Sequence, residues 1–151
     1  SVRIVQLTDA SVVTLGQISA ADQAGNYKRG LELVTQEIGR NEEIKNQAVK
    51  LSEEVKVMAL NLGAVKPDKA AEAGLQAATT GLELAQRLAN YNNYAQELLA
   101  QLQTRLTKNG SPETRQRIEQ IILRMNEEAE AINNLNTRYQ EEMREFDRLT
   151  S

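Results

Sequence analysis

Apolar residues recur every three or four positions over most of this chain. The clearest run is residues 111–149. Its stripe is Ile118, Ile121, Met125, Ala129, Ile132, Leu135, Tyr139, Met143, Phe146 and Leu149, and no Gly or Pro follows Pro112. A step averaging about 3.5 residues is that of a long α-helix, nearer to a coiled-coil seam than to a lone surface helix. The remaining positions interleave Glu with Arg, as at Glu127, Glu128, Arg138, Glu141, Glu142 and Arg144. Such a helix cannot bury its stripe alone, so the upstream chain is expected to supply the surface it packs on.

Two upstream runs match it. Tyr27, Leu31, Val34, Ile38, Ile44, Ala48, Leu51, Val55, Met58 and Leu62 form one stripe, interrupted where Asn41 takes an apolar place. Gly63 is expected to end this helix as its C′ residue, with Pro67 just beyond. The next helix starts near Pro67 and Asp68, where proline suits a first turn and the carboxylate suits the positive end of the helix dipole. Its stripe is Ala71, Leu75, Ala78, Leu82, Ala85, Leu88, Tyr91, Ala95, Leu98, Leu102 and Leu106, rich in Ala, Gly and Thr at first. Asn109 and Gly110 end it, and Ser111 and Pro112 cap the third helix.

The expected helices therefore cover residues 25–63, 67–109 and 111–150 of a single domain, 1–151. At about 1.5 Å per residue each is roughly 60 Å long. Linkers this short force an up-down-up order. Residues 1–24 read differently. They are β-branched at first, with Thr8 and Asp9 as a candidate N-cap and Gly16 breaking an apolar patch. They are expected to form an irregular or helical lead-in that folds back on the bundle. The fold class is all-α: an elongated antiparallel three-helix bundle with that lead-in, or a dimer of extended hairpins.

Composition sharpens this picture. The chain has no Trp and a single Phe, so its core must be aliphatic, as in thin interlocking helix layers. The 18 basic and 21 acidic residues are well mixed, leaving a net charge of -3 and no one-sided basic cluster for nucleic acid. No apolar run approaches the roughly 18 residues that cross a bilayer. The first residue is Ser1, which fits removal of a signal peptide or excision from a longer chain.

The chain contains neither Cys nor His. Imidazole bases, thiolate nucleophiles, most zinc sites and the Glu-x-x-His di-iron signature are thereby absent. The adjacent carboxylates Glu42-Glu43, Glu53-Glu54, Glu127-Glu128 and Glu141-Glu142 point about 100° apart on a helix and read as a solvated face. No catalytic residue, metal site or cofactor is expected.

The polar residues near mid-height of the bundle are the candidate partner-binding set: Tyr91, Asn92, Asn93 and Tyr94 on the second helix, Asn133 and Asn134 on the third. Asn41, Asn90 and Asn126 lie at similar height. Together they form either a polar layer that sets helix register or, more economically, amides facing solvent beside half-buried Tyr rings. Lys28-Arg29, beside Tyr27, is the one tight basic pair.

Three segments resemble a known family. Arg87-Leu88-Ala89-Asn90-Tyr91, Leu98-Leu99-Ala100-Gln101-Leu102 and Ser111-Pro112-Glu113-Thr114-Arg115-Gln116-Arg117-Ile118-Glu119 are similar to the second half of minor pilins of bacterial type IV secretion and conjugation systems. The helix Glu127-Glu128-Ala129-Glu130-Ala131-Ile132-Asn133-Asn134-Leu135 also fits that pattern. The resemblance covers about half of the chain. It implies an exported, non-enzymatic long helical bundle at a pilus tip, in the periplasm or at the cell surface. Its partners would be pilus or secretion-system subunits or a target-cell surface, with an oligomer compatible. The family inserts a globular appendage between its first two long helices; the short segment from Gly63 to Asp68 has no room for one. The alternatives are a periplasmic helical-bundle sensor domain of a membrane receptor and a coiled-coil scaffold.

Overall fold

The protein is described by a computed structural model covering residues 2–108 and 112–151. It is all-α. Among the described residues four α-helices follow one another: α1 (Val2–Gln23), α2 (Tyr27–Asn61), α3 (Asp68–Lys108) and α4 (Pro112–Thr150), with a 3₁₀ turn at Leu62–Ala64. No strand occurs among the described residues. Each helix packs on its sequence neighbours, and α1 also packs on α4, which closes an antiparallel ring. The count of three helices is therefore corrected to four, because the lead-in is itself a helix. The turn assigned to Asn109, Gly110 and Ser111 lies outside the described residues.

Packing, more than propensity, makes α1 helical. Val, Thr and Ile are indifferent helix formers, but Ile4, Leu7, Ser11, Leu15, Ile18 and Ala21 fall on one face and all are buried. Burying each Leu or Ile of that face stabilises by about 1.5–3 kcal/mol. Thr8 is not an N-cap. It sits inside the helix and donates to the Ile4 carbonyl at 2.8 Å, and Thr14 does the same to Ala10 at 3.0 Å.

The helix ends at Gly25, whose φ of 73° suits a residue without Cβ. There Asn26 N–H bonds the Ala21 carbonyl at 2.8 Å and Gly25 N–H bonds Asp22 at 3.0 Å, the paired closure of a Schellman motif. The Asn26 side chain then caps α2 by accepting from Arg29 N–H at 3.2 Å. Gly63 has no such role: it lies within the 3₁₀ turn, and Leu62 N–H bonds the Ala59 carbonyl.

Helix α1 has 22 residues against 35, 41 and 39 for α2, α3 and α4. It thus covers only part of the bundle. Ile18 and Leu15 lie beside Leu98, Leu102 and Ile118 near one end. Arg3 and Ile4 sit beside Leu51 and Tyr139 partway along. Beyond that level three helices remain, and α3 is small there. A Cβ on Gly81 would lie 2.5 Å from Val55 Cγ2 and 2.8 Å from Tyr139 Cε2. One on Gly74 would meet Leu62 and, at 2.9 Å, the Phe146 ring. These two glycines, seven residues apart, let side chains of α2 and the turn after it approach α3 closely from one side and those of α4 from the other.

Candidate functional site

The first candidate is a polar cluster inside the four-helix half. Ser11, Glu37 and Tyr91 have no exposed surface. The Ser11 hydroxyl donates to Glu37 Oε1. Its proton is then committed, so the Tyr91 hydroxyl touching it is the donor to Ser11. Arg40 donates to Glu37 Oε2 at 2.7 Å and to Thr14 Oγ1 at 2.7 Å. Three helices, α1, α2 and α3, are thus joined by one network.

Burial pushes the Glu37 carboxyl above its ordinary range; the Ser11 hydrogen bond and the Arg40 charge oppose this. Burial raises Tyr91 as well, opposed by the Ser11 bond and reinforced by the Glu37 charge. Ser11 has no imidazole beside it, since the chain has none. The cluster can fix register and hold a proton.

The six residues expected to bind a partner do not share a surface. Tyr91 is a core residue, within that cluster. Asn92 is buried and lines the groove between α2 and α3, with exposed Asn93 beside it. Tyr94 is half-buried in a different groove, against Arg117, Ile121 and Arg124 of α4. Asn133, half-buried, donates to Asp9 of α1 at 3.1 Å, and Asn134 is exposed. The solvated reading of the amides holds for Asn93, Asn126 and Asn134 but not for Asn41 or Asn92, which are buried. Among the described residues their Oδ1 atoms meet no donor. Ser11, Glu37 and Arg40 lie outside that expected set. A signal existed for Glu37: it stands three residues after Val34 and four before Asn41, on the face that carries Ile44 and Ala48.

The second candidate is the outer side of the α2–α3 pair. A groove of about 410 Å³ runs there over Ala48, Val49, Ala85 and Ala89, rimmed by Lys45, Glu53 and Lys56. Tyr27, Leu31, Ile38, Val49 and Leu60 on α2 and Leu75 and Leu82 on α3 are exposed. At about 100° per residue the α2 members fall on one stripe, and that stripe is the side facing the groove. Leu75 and Leu82 continue the α3 line through Ala89. Large apolar side chains lined up on one side mark an interaction surface more often than scattered ones do.

Among the described residues no group of three or more acidic side chains is arranged to hold a metal ion. No described helix is long and apolar enough to cross a membrane. The fold and these two features define an all-α four-helix bundle with a buried polar clasp and an apolar outer face. No protein-family model matches the chain, and no curated protein or solved structure matches it.

Proposed function

We propose that the protein is a non-enzymatic structural and interaction subunit of a bacterial secretion or conjugation apparatus, working through its helix faces. The observation that carries the interaction role is the apolar outer side of α2 and α3, from Leu31 to Leu60 and from Leu75 to Leu82. The apparatus is suggested by the similarity of residues 87–91, 98–102 and 111–119 to minor pilins. In this reading the protein is periplasmic or at the cell surface and meets pilus subunits or a target cell. The connection between α2 and α3 is a 3₁₀ turn and a few residues, so contact falls to the helix faces and not to an appendage.

The test is cross-linking in the cells that make the protein, followed by purification of the full-length chain. Recovery of pilus or channel subunits, lost when Leu75 and Leu82 are both changed to Ser, supports the reading. A folded, abundant protein that cross-links to no envelope component sinks it.

A sensor domain is the second reading, favoured by the groove itself. Its volume of about 410 Å³ lies within the range of small-ligand sites, and Asn92 at its edge has a buried oxygen that meets no donor among the described residues. A small molecule raising the melting temperature of the parent but not of Asn92→Leu would select this reading.

A further inference from the structure

The outer face of α2 carries a pattern that reads the same in both directions. Val49 stands at its centre. Ile38 lies eleven residues before Val49 and Leu60 eleven after. Glu42 lies seven before and Lys56 seven after; Lys45 lies four before and Glu53 four after. At about 100° per residue these seven positions fall within an arc of about 80°, roughly 120° round the helix from its buried face. The stripe advances about 3.67 residues per turn, the repeat of a right-handed supercoil.

Charge complementarity names the occupant. If a second α2 lies antiparallel with a two-fold axis at Val49, residues equidistant from Val49 meet. Lys45 then faces Glu53 of the other copy, Glu42 faces Lys56, Ile38 faces Leu60, and Val49 faces itself. All four ion pairs are formed between opposite charges, and both outer apolar contacts close the ends. A parallel pairing would set each charge against its own copy. Among the described residues none of these four charges makes an ion pair within the chain, whereas Arg3, Arg40, Arg87, Arg105 and Arg117 each hold a carboxylate. Ile38, Val49 and Leu60 are 48%, 52% and 76% exposed. The shallow floor of Ala48, Ala85 and Ala89 beside them leaves room for the second helix to approach.

We propose that the protein forms a two-fold symmetric dimer through antiparallel α2 helices centred on Val49. This deepens the interaction role proposed above by naming one partner, a second copy of the chain. The chain has no native cysteine, so single cysteines report the axis directly. Val49→Cys should give a disulfide-linked dimer under mild oxidation. Lys50→Cys, about 100° round the same helix, should not.

Sedimentation of the full chain between about 1 and about 500 µM should show a dimer. Lys45→Glu should weaken it at least about tenfold, because two like-charge contacts replace two pairs. Adding Glu53→Lys to Lys45→Glu should restore it. Far-UV circular dichroism confirms that each variant remains helical. A chain monomeric throughout, equal cross-linking at both cysteines, or a double variant no better than Lys45→Glu each overturns the proposal. None of those outcomes touches recovery of envelope subunits, so the wider function stands or falls separately.

Discussion

At the scale of single residues, two buried polar groups give opposite expectations. Asn41 is 5% exposed and its Oδ1 meets no donor among the described residues. A buried acceptor without a partner costs about 1–3 kcal/mol. Asn41→Leu, which keeps the volume and fills a seam place, is expected to stabilise the bundle by about 1 kcal/mol, read as a higher urea midpoint. A lower midpoint would mean that the amide is held by its surroundings. Glu37 has partners, and its effect depends on pH. Burial raises its carboxyl above the ordinary 4.5, so the folded state favours the protonated form. That contribution is complete below 4.5 and is lost as pH rises through the raised value. Glu37→Gln does not titrate. Its melting temperature relative to the parent is therefore expected to climb between about pH 4 and about pH 8. A difference that stays flat across this interval contradicts the raised carboxyl.

Glycines decide the outcome at the scale of the helix. Glycine in a helix interior costs about 1 kcal/mol against Ala, so replacement usually helps. Gly39 is exposed with nothing within 4 Å of an added Cβ. Gly39→Ala is expected to stabilise by about 0.5–1 kcal/mol. Gly81 faces Val55 and the rigid Tyr139 ring, the latter 2.8 Å from the added atom. Gly81→Ala is expected to lose about 1–3 kcal/mol net, because overpacking outweighs the backbone gain. Chemical denaturation of the two variants side by side checks the opposite signs.

The same contrast explains how much of each helix was legible. In α4 the expected stripe is the buried one from Ile118 through Ile132, since its largest apolar residues do face the core. In the first half of α3 it holds at Ala78 and Ala85, which are buried, but fails at the leucines. Leu75 and Leu82 are exposed, while Gly74, Ala77, Gly81 and Leu84 are inside. A rule that ranks positions by apolar size cannot see that this half of α3 must be thin. In α2 the pattern fails at Leu31 and Ile38, which lie outside, whereas Leu33 and Glu37 lie inside. There the docking of α1 brings Ser11 to Glu37, and a hydrogen-bonded carboxylate takes a place that hydrophobicity alone would deny it.

For the whole molecule, the helices should differ in local stability. α3 and α4 are the longest helices and pack on each other, whereas α1 is the shortest: its backbone lies close only to α2 and α4, and it reaches α3 through side chains such as Ser11 and Asp22. Hydrogen exchange in the native state is expected to be fastest in α1 and slowest in the buried parts of α3 and α4. Ile18→Ala, which removes a side chain 2% exposed, should speed exchange in α1 more than in the outer half of α4 beyond Tyr139. Uniform acceleration over all four helices would show that the bundle opens as one unit.

The candidate sites divide along the same line. Tyr91, Asn92, Asn93, Tyr94, Asn133 and Asn134 could be singled out by type and height, but adjacent helix residues point about 100° apart. Tyr91 thus turns into the core, Asn92 and Asn93 toward α2, Tyr94 toward α4 and Asn133 toward α1.

Periodicity, punctuation by Gly and Pro, and the lack of aromatic bulk were enough to determine an all-α chain of long antiparallel helices. These are local properties, written in residues three or four apart. The helicity of α1, the inward turn of Glu37 and the exposure of Leu31, Ile38, Leu75 and Leu82 depend on which helix lies opposite. Only the tertiary structure decides that, because the side of a helix that is buried is set by its neighbours and not by its own sequence.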